Sequence, residues 1–582
     1  MTTFAIALLL FQVQLGGASG IVTKPGGNEP LPGATVILSS AGSSQASGIR
    51  STITQDDGRF TFGDIEPGEY RLQAQSTRYG GAAYGQRKPN GPGAILTIAS
   101  GQRLSDIKVS MVPTGAIAGR ITGRSGEPLA YATVQALRYM YQEGQRILAV
   151  VQTTTTDDRG EYRLFWLTTG KYVVVAGPRS SPISTGVVAP LRPGEAIRWN
   201  GLIGPLGMTS DALLEGSNLT KRILEDGSVL EESWMPTYYP ATTDRAQASA
   251  VDVTAGSTVT GTDVTLGPSP VQTIRGRVTG ITPGSQATVA LASATQGMLG
   301  QIISKGASTI DGSFVFAGVL PGSYFLTAQD RAGLVATPMA VLVGDRDVDN
   351  LSIALAPAVR VSVRITAEGL TPGSSDPFYG LNGTLRPELE NPQSGGSPAN
   401  VRSANMQLSA GNVIVLPNVA PGDYQFDISQ PVVFSQTSLR ENVKPLYIKS
   451  IRLGREDAFG TIHISSNTSE VLEVVLTTET GSVEGVAIGR AGDPAANVTV
   501  VLVPTNARKR TALYQTLVTG SDGKFRFQGV PPGDYKLFAW EDIETGAWEN
   551  AEFMRPYESR GRAVRVSENG KEAVELNVIY NP

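Results

Sequence analysis

A segment of turn, strand, turn and strand returns along the chain, and this internal repetition constrains the fold more than any other feature. It reads Asp57-Gly58-Arg59-Phe60-Thr61-Phe62, then Ile65-Glu66-Pro67-Gly68-Glu69-Tyr70-Arg71-Leu72. It returns from Asp311-Gly312 to Leu326 and from Asp522-Gly523 to Leu537, with a looser copy around Asp158-Arg159-Gly160 and Tyr172. A divergent copy keeps only Val419-Ala420-Pro421-Gly422-Asp423-Tyr424. Asp-Gly supplies the positive φ of a tight turn. Phe-x-Phe alternates with period two, so both rings face one core. Pro-Gly predicts a type II turn. The tyrosine after it begins the next strand and can hydrogen-bond back to the loop, as in the tyrosine corner of sandwich folds.

A strand, a Gly- or Ser-containing turn and an aliphatic alternating strand close each unit, as in Ile95 to Met111 and Ala563 to Ile579. An opening strand recurs as Gly119-Arg120-Ile121-Thr122, Gly276-Arg277-Val278-Thr279 and Gly485-Val486-Ala487. The glycines Gly68, Gly170, Gly322, Gly422 and Gly533 lie 102, 152, 100 and 111 residues apart. The unit is therefore about a hundred residues long, with one insertion of about fifty. The expected architecture is all-β, a tandem array of about five β-sandwiches. The units expected are 20–112, 113–267 with an insertion at about 178–250, 271–356, 358–479 and 481–582. Helix-period stretches are rare outside Thr209 to Glu232.

The motifs G-x-V/I-T, P-L-P-G-A-T-V, D-x-G-x-F/Y-x-F/L and P-G-x-Y-x-L resemble the carboxypeptidase regulatory-like domain. They are also similar to Cna B-type and starch-binding-like sandwiches. The resemblance implies a transthyretin- or prealbumin-like, Ig-like β-sandwich, often grouped with carbohydrate-binding-like folds. It implies no peptidase: the regulatory domain accompanies a zinc carboxypeptidase, whose histidine ligands have no counterpart here.

Composition narrows the function. Cysteine is absent and histidine occurs once, as His463, which excludes thiol nucleophiles, disulfides and Cys/His zinc sites. No cofactor is called for. A net charge of −4 with no Lys/Arg-rich block argues against nucleic acid. Apolar Phe4 to Phe11 and small Gly16 to Gly20 resemble a signal peptide over residues 1–19, cut near Ala18 to Gly20. The other reading is a buried first strand. Eight apolar residues are too few for a membrane span. The chain is expected outside the cytoplasm, periplasmic or extracellular.

His463 alternates with Ile462 and Ile464, which places it on a sheet surface. No nucleophile elbow or phosphate loop is present. Paired acids such as Asp56-Asp57, Asp157-Asp158 and Glu231-Glu232 invite a glycan-hydrolase reading, but the first two fall in the repeated turn. Aromatic loop residues are the better candidates for a binding site. Trp540 and Trp548 stand among Glu541, Asp542, Glu544, Glu549 and Glu552, and Tyr238 and Tyr239 lie in the insertion with Trp199 and Trp234. Exposed rings stack on sugars while carboxylates accept their hydroxyls; the alternative is a plug that packs the domain ends. These residues predict a non-catalytic array that binds a polysaccharide or other cell-surface polymer, or spaces a protein partner. A glycan hydrolase and a periplasmic accessory of an outer-membrane transporter are the rival readings.

Overall fold

A computed structural model describes residues 14–27, 29–40, 49–86, 91, 93–142, 144–177, 219–223, 229–293, 305–369, 382–388, 403–405, 413–429, 447–466, 470–508 and 510–580. Among them strands dominate, and the α-helix α1 is a single turn, Ala551–Met554.

The first module sets the pattern. Its strands are β1 (Gly16–Thr23), β2 (Thr35–Ser40), β3 (Arg50–Ile53), β4 (Arg59–Ile65), β5 (Gly68–Ser76), β6 (Tyr79–Ala83), β7 (Ile95–Ile98) and β8 (Arg103–Ser110). One sheet has the order β4-β1-β8; the other has β3-β2-β5-β6, with β7 also on β5. The opening strand β1 runs antiparallel to β4 and parallel to β8. Phe60, Phe62, Leu72, Ile98 and Val109 meet between the sheets.

The same wiring recurs four times. In the second module β9 (Gly115–Thr122), β10 (Thr133–Gln142), β11 (Gln145–Thr155), β12 (Glu161–Leu167) and β13 (Gly170–Gly177) form orders β12-β9 and β11-β10-β13. In the third, Gln272–Thr279 lies antiparallel to Ser313–Val319 and parallel to Val348–Ala354. In the fourth, Val359–Glu368 is set likewise between Val413–Val419 and Val471–Thr477. In the fifth, Gly481–Ile488 lies between Lys524–Val530 and Lys571–Ile579. There the closing strand also pairs with Gly533–Trp540, which joins the two sheets along one edge.

The glycine of each opening motif has a steric cause. At Gly20, Gly119, Gly276 and Gly485 a Cβ would collide with a carbonyl of the parallel neighbour. In the Asp-Gly turns, Gly58, Gly160, Gly312 and Gly523 have φ of 72–86°, as the turn requires. The Pro-Gly segment differs from its expectation. Gly170, Gly322, Gly422 and Gly533 have φ of 151–159°, not the ~80° of a type II turn, because the chain passes straight into a strand. The tyrosine two residues on closes the corner in every module. Its hydroxyl donates to the carbonyl four residues back: Tyr70 to Glu66, Tyr172 to Thr168, Tyr324 to Leu320, Tyr424 to Ala420 and Tyr535 to Pro531, at 2.6–2.8 Å. Burial pushes Tyr324, Tyr424 and Tyr535 up to about 12.

Two expectations are corrected. The stretch Thr209 to Glu232 is not helical where described: Leu219–Ile223 and Val229–Trp234 form an antiparallel hairpin. The apolar run Phe4 to Phe11 lies outside the described residues, but the cleavage point does not. A cut near Ala18 to Gly20 falls inside β1, where Ala18 is buried and paired to both neighbours.

The modules also touch out of sequence. Tyr141, at the end of β10, meets Phe553 edge-on at 5.9 Å. Asn550 Nδ2 donates to Gly144 O at 2.8 Å, so the second module's β10–β11 hairpin rests on the fifth module.

Candidate binding surfaces

The repeated acids hold turns. Asp57 Oδ1 accepts the Arg59 N–H at 3.0 Å, and Asp522 Oδ1 accepts that of Lys524 at 3.1 Å. Asp157 Oδ1 accepts the N–H groups of Arg159 and Glu161 at 2.9 and 2.8 Å. The Ser313 hydroxyl, then the Ser313 N–H and the Thr309 hydroxyl, hold the Asp311 carboxyl down at about 2. A buried threonine ahead of the turn completes the device. Thr54, Thr156 and Thr519 each accept a backbone N–H and donate to a carbonyl across the loop. Its sequence signal is a threonine four residues before the turn glycine. His463 stands exposed between buried isoleucines, with Nδ1 2.7 Å from Asp423 Oδ1. Among the described residues no group of three or more His, Cys, Asp or Glu is placed to hold a metal.

The carboxy-terminal loop is a plug. Trp540 is 0% and Trp548 6% exposed. Along Gly533–Trp540, Tyr535, Leu537 and Ala539 face the sandwich core, while Phe538 and Trp540 face the other way. Residues 541–560 fold back over that outer face and bury it. Phe538 and Trp540 stack at 5.2 Å, and Ile543, Ala547, Trp548 and Met554 pack with them over Val501, Val503 and Ile579. Trp540 Nε1 is buried without a hydrogen-bond partner among the described residues. Glu541 and Glu544 are exposed and Asp542 half-buried, so the acids coat the solvent side of a buried pair of indoles. Neither ring offers a face to a sugar. This corrects the stacking platform expected at Trp540 and Trp548.

The insertion tyrosines lie elsewhere. Tyr238 is buried beside Leu137, Leu148, Val173 and Val175 on the outer face of the β10-β13 sheet. Tyr239 packs half-buried against the core between the sheets. The two point to opposite faces of that sheet. Trp234 is half-buried, and Trp199 lies outside the described residues.

The exposed aromatic pair is one that loop composition did not single out. Trp166 is 57% and Phe165 41% exposed, and their rings meet edge to face at 4.6 Å. Both occupy a bulge in β12, between the pairs Leu164–Ile117 and Leu167–Gly115. Trp166 has φ of 61°, a left-handed conformation that costs a bulky L-residue about 1–2 kcal/mol. Aligning the copies exposes the anomaly. The left-handed bulge residues of the other modules are Asp64, Gly318, Asn418 and Gly529, types that tolerate this region.

The fold and its surfaces define a class: a tandem array of β-sandwich modules. Residues 17–111, the first module, match the model of the carboxypeptidase regulatory-like domain. Among solved structures the chain is similar to GBS52, a minor pilin of Streptococcus agalactiae, at 12% identity and a TM-score of 0.21, over 44% of this chain and 96% of that one. It is similar to two B repeat units of the collagen-binding protein of Staphylococcus aureus, at 9% identity and 0.13, over 79% and 98%. It is similar to the shaft pilin SpaA of Lactobacillus rhamnosus GG, at 10% identity and 0.19, over 44% and 98%. At these scores the likenesses carry no argument about this chain. A search of curated protein sequences finds no match.

Proposed function

We propose that this is a non-catalytic, exported array of β-sandwich modules that binds an extracellular or cell-surface carbohydrate and holds it at a fixed distance. Support for the non-catalytic half comes from the repeated acids, which are engaged by their own turns. The binding half is carried by one observation: the second module presents the touching rings of Phe165 and Trp166 to solvent. The export half rests on the apolar run Phe4 to Phe11, with any processing placed before Gly16. No helix among the described residues is long and apolar enough to cross a membrane.

The test uses the purified full chain. Retention on insoluble polysaccharides and on peptidoglycan is expected, with no turnover of peptide, ester or glycoside substrates. Reproducible turnover abolished by changing one acid pair would overturn the non-catalytic reading, and failure to bind any polymer would overturn the binding one.

A further inference from the structure

We infer that the β10–β11 hairpin is a latch for the carboxy-terminal plug. Docked, it holds residues 541–560 closed over Phe538 and Trp540; released, it lets them open while the fifth sandwich stays folded. The inference is independent of the carbohydrate reading above.

Both parts are additions to the repeat, and neither is built to stand alone. β10 pairs with β13 from Thr133 to Leu137. Beyond that point, among the described residues, Arg138 to Gln142 pair with Gln145 to Ala149 of β11 alone. A two-stranded ribbon is marginal in water. In the fifth module the counterpart of β10, Thr499–Pro504, pairs with Gly533–Trp540 along its whole length and has no such overhang. The plug is the fifth module's own addition. The third module joins the corresponding strands, Gly322–Asp330 and Met339–Val343, through residues 331–338, whereas the fifth joins Gly533–Trp540 to Arg562–Val566 through residues 541–561. That segment folds into two short 3-10 helices and the single turn of α1, lengths that do not persist without packing.

The two additions meet where the plug turns. A Cβ on Gly546 would lie 3.0 Å from Tyr141 O, and one on Gly144 3.0 Å from Glu549 O, so backbone meets backbone on both sides. Asn550, whose Oδ1 caps α1, gives its Nδ2 to Gly144 O. From Tyr141 a line of ring contacts runs inward: to Phe553 at 5.9 Å, from Phe553 to Tyr557 at 5.4 Å, and from Tyr557 to Trp540 at 5.9 Å. The hairpin therefore braces α1 and the 3-10 helix before it, the elements that carry Met554 and Trp548 into the cluster over Trp540. The sandwich core lies on the opposite face of Gly533–Trp540, with Tyr535, Leu537 and Ala539. Opening the plug leaves that packing in place.

The test is hydrogen exchange on the full chain, read peptide by peptide. In one variant Met140–Ile147 are replaced by Asn-Gly, which closes the hairpin with a two-residue turn at the pair Tyr139–Leu148. In the second, Tyr141→Glu, the hairpin keeps its length and a carboxylate is set near Glu544 and Glu552. Exchange across residues 547–557 is expected to quicken roughly tenfold or more in both, the signature of a local opening. Gly481–Ile488 and Lys524–Val530 are expected to keep their protection, and acrylamide quenching of tryptophan emission to increase. Coupling free energy is reciprocal, so Phe553→Ala in the plug is expected to quicken exchange in Arg138 to Gln142. Unchanged exchange across 547–557 in the variants would overturn the latch, because the plug would then close by itself. Loss of protection through Gly481–Ile488 and Lys524–Val530 as well would make the hairpin a support of the whole fifth module and overturn the latch equally. If shortening the hairpin unfolds the second module, seen as lost protection in β9, Y141E decides by the same readout.

Discussion

At the scale of single residues, the two kinds of tryptophan separate cleanly. Trp540 is enclosed, so Trp540→Ala is expected to cost about 3–5 kcal/mol of stability, the range for deleting a large buried ring. A denaturant melt of the full chain measures it, read in the transition of the fifth module. Polysaccharide retention by the folded protein is expected to be unaffected. The placement of Trp540 was only half legible in the sequence. Period-two alternation sends Leu537 and Ala539 inward and Trp540 outward, which the structure shows. Alternation is silent on what covers the outer face, because that depends on where residues 541–560 return. The tyrosine corners were legible because their partner lies four residues away. Trp166 was not, since a single copy of a bulge does not reveal that its residue must be left-handed.

At the scale of elements, the repeat spoke for strands wherever turn chemistry is local. It failed for Thr209 to Glu232, where a helix-like spacing of apolar residues gives way, in the described part, to a hairpin. Pairing decides there: Glu232, Ser233 and Trp234 are bonded to Pro268–Pro270, the link to the third module, and a helix could not join that ladder. The opening strand gives a second prediction. β1 is the middle strand of its sheet, so a chain begun at Ile21 loses ladder bonds on both sides, each worth about 0.5–1.5 kcal/mol. Loss of hydrogen-exchange protection throughout β4 and β8 is expected, whereas a chain begun at Gln14 keeps it. Native protein whose amino terminus proved to be Ile21, with the first module folded, would refute this.

At the scale of the whole molecule, Asn550 serves two masters that mutation can part. Its Oδ1 caps α1 by accepting the Phe553 N–H at 2.8 Å, while its Nδ2 holds Gly144. Asn550→Asp keeps the cap, since aspartate is as good a cap as asparagine, but replaces the donor with an oxygen facing a carbonyl. An increased radius of gyration by small-angle scattering is expected, with the fifth module's melting temperature changed by no more than a few degrees. An unchanged radius would mean that the ring contact of Tyr141 and Phe553 suffices without Asn550.

The meeting of that hairpin with the fifth module has a mechanical meaning. That contact is built on the Asn550–Gly144 hydrogen bond and on Tyr141 packed against Phe553 and Gly546. Two separate proteins would first lose roughly 4–15 kcal/mol of freedom on association, whereas within one chain the tether supplies a high effective concentration in its place. The third and fourth modules are that tether, so the contact closes the chain on itself and limits how far the second and fifth modules can part.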